Sequence, residues 1–176
     1  MGKIHDAITP DLADWIGRQR LFFVATSPFA GGHVNGSPKG LDTLRVTGPR
    51  QVAYLDLTGS GAETLAHVRE NGRIVFVFFA LEGPPRILRL HGRGTVVLPG
   101  SPDWPSLLAR FPAMPGARAI IRADIARIGE SCGFGVPEYA FVREREALHR
   151  WAEKKGPEGL PAYRARENAR SLDGLP

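Results

Sequence analysis

The chain is 176 residues long, 43% hydrophobic and 23% charged, with a formal net charge of +5. That balance supports a single folded domain over residues 1–176 with a sizeable buried core, and it excludes a disordered or repeat-built chain. The lone cysteine, Cys132, excludes an intrachain disulfide, and the longest apolar run, Ile74–Leu81, is too short to span a bilayer.

The pI of about 9.9 permits polyanion binding. The basic residues are nonetheless interleaved with acidic ones, as in Arg143–Lys155, so a solvated helix face accounts for them better than a nucleic-acid patch. No apolar segment with a small-residue cleavage site follows the N-terminal charges, so no signal peptide is expected. A cytoplasmic protein follows, with no membrane and no nucleic-acid partner. Cys132, beside Gly133, reads as a small packing residue.

Thr9-Pro10-Asp11 supplies a cap, a first-turn proline and an acid, and Leu12, Trp15 and Ile16 follow at helical spacing, so a surface helix ends near residues 17–20. Leu21–Ser27 is aromatic and β-branched and predicts a buried strand, with Val34–Ser37 pairing back on it. Leu44–Val46 and Gln51–Leu57 flank Thr47-Gly48-Pro49-Arg50 and read as a hairpin. A helix over about Glu63–Glu70 is closed by Asn71-Gly72, and Arg73–Ala80 re-enters the core.

Arg86–Leu98 predicts a long strand whose Gly92 and Gly94 mark a bulge or barrel bend. Val97 stands where a dinucleotide fingerprint needs its third glycine. Ser101-Pro102-Asp103 opens a helix carrying Trp104, Leu107, Leu108 and Phe111, and Ala117–Ile128 alternates as a half-buried strand. The remainder predicts helices over Glu138–Lys155, closed by Gly156, and over Leu160–Arg170. Strands joined by tight turns with helices at the edges argue for a mainly β protein, an antiparallel barrel with peripheral helices.

The chemistry converges on Thr58-Gly59-Ser60-Gly61-Ala62-Glu63-Thr64, a turn rich in hydroxyls and glycine that leaves one strand and opens a helix. Glycines admit a close ligand, first-turn N–H groups lack partners, and the helix dipole adds positive potential, so the turn suits an anion such as phosphate. Lys39 and Arg45 on the preceding strands could add full positive charge. Competing chemistries are poorly supported. The five histidines are isolated from one another and from Cys132, which leaves no metal spacing; Gly59-Ser60-Gly61 is no nucleophile elbow, and no Walker lysine is present.

The segments Ser37–Val46 (SPKGLDTLRV), Ala53–Phe79 (AYLDLTGSGAETLAHVRENGRIVFVFF) and Gly83–Gly100 (GPPRILRLHGRGTVVLPG) resemble the pyridoxamine 5'-phosphate oxidase-like family of FMN-binding split barrels, and the likeness extends through Ser131–Pro137 to the tail from Trp151. The resemblance implies a homodimeric split barrel and a flavin-dependent oxidoreductase acting on a small substrate. It implies FMN held by Lys39 or Arg45, with Thr58, Ser60 and Thr64 donating to phosphate or ribityl oxygens and the backbone around Ser37 and Asp56 facing the ring. Arg166, Asn168 and Ser171 would reach the partner's cofactor.

One departure stands out. The dedicated oxidases carry Ser-Arg-Lys at the helix start, whereas this chain has Ala62-Glu63-Thr64, and Glu63 needs to cap the helix or to pair with Arg86 or Arg45 if it is not to repel a phosphate. The Arg-x-His substrate segment of those oxidases is also missing from Arg166–Leu172, so poor turnover of pyridoxine 5'-phosphate is expected. Alternatives left open are a deazaflavin site, a flavin reductase, and a non-catalytic protein binding flavin, deazaflavin or haem.

Overall fold

The computed structural model describes residues 2–176. Its strands are β1 (Lys3–His5), β2 (Phe22–Thr26), β3 (Asn35–Lys39), β4 (Leu44–Gly48), β5 (Gln51–Leu57), β6 (Arg73–Phe79), β7 (Ile87–Val97) and β8 (Ala117–Ser131). All pair antiparallel, in the order β3-β2-β6-β7-β8-β5-β4, with β1 added on the far end of β8. β3 and β4 follow each other in the chain yet stand at opposite ends of this path, joined through Gly40–Thr43 without pairing. The barrel is therefore split there. The expected mainly β, antiparallel split barrel is the fold observed.

Strict alternation drives the assembly. Phe22, Val24 and Thr26 of β2 and Ile74, Phe76 and Phe78 of β6 point inward, and each fully buried aromatic or aliphatic side chain contributes roughly 1.5–3 kcal/mol. β5 departs from alternation because it is covered on both sides. Val52 and Tyr54 join the main core, whereas Ala53 and Leu55 join a second cluster with Leu107, Phe111 and Ile120. The predicted bulge lies at Gly92, where the β7–β8 register shifts, and a Cβ there would run into the Asp124 carbonyl.

Three helices follow their sequence signals. α1 (Pro10–Gly17) is capped by Thr9, whose hydroxyl accepts from the Leu12 N–H at 3.3 Å. α2 (Glu63–Asn71) has no side-chain cap at its start and ends on left-handed Gly72, φ 72°. α3 is short, Trp104–Leu108, and Phe111 lies beyond it in a following turn. Among the described residues, no helix is long and apolar enough to cross a membrane.

The last helix corrects the sequence reading. α4 (Ala147–Glu167) starts nine residues later than expected, after Glu138–Glu146. That segment is non-helical because its backbone is bound elsewhere: the Tyr139 N–H donates to the Leu81 carbonyl at 2.8 Å and the Phe141 N–H to Glu82 at 2.9 Å. Arg143–Glu146 also lacks an apolar face to anchor a helix. Gly156 breaks α4 in the middle (φ 66°, ψ −179°), as its position before Pro157 implied.

Cys132 is exposed rather than packed. Gly133 takes the buried place, with a notional Cβ 2.8 Å from the Arg86 backbone nitrogen, so only glycine fits that contact. β1 was not foreseen. Three residues carry too little pattern, and its pairing with β8 is reinforced by His5 Nε2 and Glu130 at 2.8 Å.

Candidate functional site

A cavity of about 1250 Å³ opens beside the split in the barrel. One wall is strand-built: Lys39 at the end of β3, Tyr54 and Leu57 on β5, and Thr58 and Gly59 just beyond it. The other wall comes from the Leu81–Arg86 turn, the irregular residues 139–145 and the first residues of α4, Ala147 and Leu148, together with Trp15 of α1. Its volume exceeds the roughly 300–1,000 Å³ of ordinary ligand pockets.

Behind the strand wall lies a buried charge cluster centred on Asp56, which is fully buried on β5. The Tyr54 hydroxyl donates to one carboxylate oxygen at 2.7 Å, and Arg118 Nε of β8 donates to the other at 2.6 Å. Arg118 also donates to the Asn168 side chain and to the Gly61 carbonyl, both at 2.8 Å. Each guanidinium nitrogen therefore has an acceptor, as a buried arginine requires.

Lys39 Nζ stands 3.9 Å from Asp56, beyond hydrogen-bond reach, and 5.5 Å from the Tyr54 ring centroid. Burial lowers its pKa from the ordinary lysine value; Asp56 acts against that, and Arg118 reinforces it. The Tyr54 hydroxyl is held well above its ordinary value, chiefly by burial and then by Asp56. One carboxylate thus faces two cations, and Arg118 has the short contact. Lys39 is left at the cavity wall with no hydrogen-bonded carboxylate, and Glu63 adds a weaker negative field.

The residues singled out in the sequence fall into separate groups. Lys39 and Thr58 border the cavity, and Asp56 sits behind it. The Thr58 hydroxyl and N–H both donate to the Gly116 carbonyl, at 2.8 and 2.7 Å, so this side chain already serves the fold. Ser37 and Thr64 belong to a polar network beneath α2. Ser37 donates to Asn35 at 2.9 Å, and Asn35 donates to both Thr64 and Thr26 at 3.1 Å. Thr26 meets Nδ1 of the fully buried His67 at 3.0 Å, and His67 Nε2 has no partner among the described residues.

Ser60 and Glu63 face the C-terminal tail. The Ser60 carbonyl accepts from Asn168 at 3.3 Å, and Glu63 accepts from the Leu172 N–H at 3.2 Å. Glu63 therefore pairs with neither arginine proposed for it. Arg86 pairs with Glu130 at 3.4 Å and lies over Trp15, whereas Arg45 binds Asp42 and the Arg110 carbonyl and lies over Phe111. Arg45 is outside the cavity lining. Asn168, expected to reach across to a partner, is engaged within its own chain, and Ser171 is buried and bonded to Leu175.

The residue that sequence reading missed is Arg118. A signal was available, because Asp56 in Tyr54–Leu57 and Arg118 in Ala117–Ile121 are single charges inside apolar strands, and two such charges bury cheaply only together. Among the described residues, no group of three or more histidine, cysteine or acidic side chains could hold a metal ion.

Comparison with known proteins agrees with this architecture. Residues 8–132 match the family model described as pyridoxamine 5'-phosphate oxidase. The pyridoxamine 5'-phosphate oxidase family protein ustO of Aspergillus flavus is 40% identical over 193 residues, covering 100% of this chain and 78% of that protein. Among solved structures, HupZ of Group A Streptococcus has a TM-score of 0.54 at 24% identity, covering 69% of this chain and 91% of its own. An FAD-binding protein of Mesorhizobium loti has a TM-score of 0.51 at 11% identity, covering 74% of this chain and 97% of its own. These two establish the fold alone. By the family match and by the 40% identity over its whole length, the chain belongs to the pyridoxamine 5'-phosphate oxidase family.

Proposed function

We propose that this protein is an FMN-dependent oxidoreductase acting on a small substrate. The observation that carries the reading is Lys39, a largely buried cation at the wall of a large cavity, whose nearest carboxylate is already held by Arg118 and Tyr54. A cation that shares its carboxylate with an arginine and a tyrosine in this way suits an anionic ligand. A flavin phosphate satisfies it, and the apolar side chains of Trp15, Leu57 and Phe79 offer a surface for a planar ring. The residues present therefore fit the cofactor, with Lys39 rather than Arg45 as the basic partner.

FMN, when bound, supplies the hydride chemistry. The chain's share is to bind and orient. Lys39 would pair with the phosphate, the Asp56–Arg118 bond ties β5 to β8 behind it, and the apolar lining would face the ring. Family membership supports a flavin as the ligand class. The exposed thiol of Cys132 suits a reducing, cytoplasmic setting.

The proposal includes one domain per chain and a homodimer. Phe134, Val142 and Leu172 are 82%, 86% and 72% exposed, an apolar display that a second subunit would cover. Light scattering at micromolar concentration is expected to give twice the 19.2 kDa chain mass; a monomer that still binds flavin would refute the dimer.

The test of the cofactor is the visible spectrum of purified protein, with quenching of added FMN fluorescence. Flavin absorption bands are expected. A colourless protein that leaves FMN fluorescence unchanged would sink the reading, and bound flavin with no turnover of reduced nicotinamides or amines would make this a binding protein. Pyridoxine 5'-phosphate should be oxidised far more slowly than the ordinary enzyme rate of about one per second, because the tail lacks the Arg-x-His segment.

A further inference from the structure

Asp56 is a single buried carboxylate with two cations in range, and the cavity's charge depends on which of them it engages. Arg118 holds it at 2.6 Å and Lys39 stands off at 3.9 Å. Were Arg118 to withdraw, the buried carboxylate would need another counterion, and among the described residues Lys39, at 3.9 Å, is the other cation within ion-pair distance of it. Lys39 would then turn from the cavity toward Asp56.

What keeps Arg118 in place comes from the far end of the chain. Asn168, at the C-terminal cap of α4, accepts from one guanidinium nitrogen at 2.8 Å through its oxygen. Through its nitrogen it donates to the carbonyls of Gly59 and Ser60, at 3.0 and 3.3 Å. Arg118 in turn holds the Gly61 carbonyl at 2.8 Å. The three carbonyls of the turn are thus committed to these two side chains. Because a trans peptide aims its C=O and N–H oppositely, the carbonyl oxygens, which would repel an anion, are turned toward protein donors.

We propose that Arg118 and Asn168 are positioning residues for Lys39: Arg118 occupies Asp56 and so leaves the lysine ammonium free for an anion in the cavity, and Asn168 of the C-terminal tail holds Arg118 there. This rests on the reading of Lys39 as the phosphate partner. It also assigns a role to the tail, whose docking through Leu172 to Glu63 and through Asp173 to the His33 N–H sets Asn168 beside the turn. Tail docking and ligand charge recognition are then one linked equilibrium, through contacts that join residues 50 to 140 positions apart.

The experiment compares FMN with riboflavin, which lacks the phosphate, on the full-length wild type, Asn168→Ala and Arg118→Lys, alongside titration of Lys39 by NMR of the ¹³C-dimethylated amine. In the wild type FMN should bind more tightly than riboflavin. In both variants that preference should fall about tenfold, the size of one charge-assisted contact, with riboflavin affinity within about twofold of wild type. In ligand-free Asn168→Ala the Lys39 pKa should rise, since its amine moves closer to Asp56.

A variant that keeps the wild-type preference, or that weakens both ligands equally, overturns the proposal, and so does an unchanged or lowered Lys39 pKa. Should wild type show no preference for FMN, the phosphate reading fails by itself. The Lys39 titration, which needs no ligand, still decides whether Asn168 governs the lysine.

Discussion

The two walls of the cavity are built on different physical terms. The strand wall, from Lys39 through Thr58, is fixed by ladder hydrogen bonds on both sides of β5 and by a carboxylate whose two hydrogen-bond donors, Tyr54 and Arg118, are buried. The opposite wall, around residues 139–148, is tied by the Tyr139 N–H to the Leu81 carbonyl and by the Phe141 N–H to the Glu82 side chain, and leaves Tyr139, Phe141 and Val142 exposed. Charge behaves accordingly. On the strand wall Asp56 and Arg118 are desolvated and each depends on the other, whereas the Glu146–Arg150 pair at the start of α4 is 69% and 76% exposed. The difference teaches that in this protein precision lies with the barrel and adjustability with the chain beyond it.

Breaking the buried pair should give the largest effect. Asp56→Ala strands Arg118 in the interior and is expected to cost about 3–5 kcal/mol in urea unfolding, against at most about 1 kcal/mol for Arg150→Ala. Similar unfolding midpoints for the two variants would erase the contrast between the walls.

Next comes the choice between the two basic residues that the sequence offered. Lys39→Ala should weaken FMN by about 10- to 100-fold and riboflavin little, since one charge-assisted contact is worth about 1.5–3 kcal/mol. Arg45→Ala, which loses only Asp42, the Arg110 carbonyl and the Phe111 ring, should leave the FMN-to-riboflavin ratio unchanged. Equal losses from the two substitutions, measured by fluorescence titration, would mean that the strand wall does not single out Lys39.

The lysine should also show itself in pH dependence. Only its charged form attracts phosphate, so the preference for FMN should disappear as pH rises through the lowered Lys39 pKa, at a pH below the ordinary lysine value of 10.5. Lys39→Arg should keep the preference to higher pH. For stability the sign is opposite. With the folded pKa below 10.5 the unfolded chain binds more protons between the two values, so this residue's contribution rises with pH across that window. Lys39→Met should accordingly raise the melting temperature at neutral pH while abolishing the FMN preference; a lower melting temperature would contradict the desolvation argument.

The smallest effect belongs to the tail. Glu63→Ala removes the acceptor of the Leu172 N–H at a partly exposed site, worth about 1 kcal/mol or less. Hydrogen exchange should quicken at Leu172 and stay unchanged in β5, and faster exchange in β5 would show that the two regions are not separable.

Sequence by itself determined whatever depends on near neighbours. Thr9 and Pro10 start α1, Gly72 ends α2, Gly92 bends β7, and the alternation in β2, β6 and Ile121–Ile125 of β8 selects faces that become the core, whereas Arg118–Ile121 of β8 is buried on both faces. A cap or a pleat is read within a few residues, where propensity and periodicity act directly. Tertiary structure decided which long-range partner each charge would meet. Alternation tells which face of β8 Arg118 occupies, but not that the register places Asp56 opposite Ala119, next to it, across a separation of 62 residues. It put Lys39 on the cavity and Arg45 over Phe111, although six positions separate them, because β3 and β4 diverge at the split. It also kept Glu138–Glu146 out of a helix, because the backbone donors of Tyr139 and Phe141 found acceptors in a turn more than fifty residues earlier, where no local pattern could announce them.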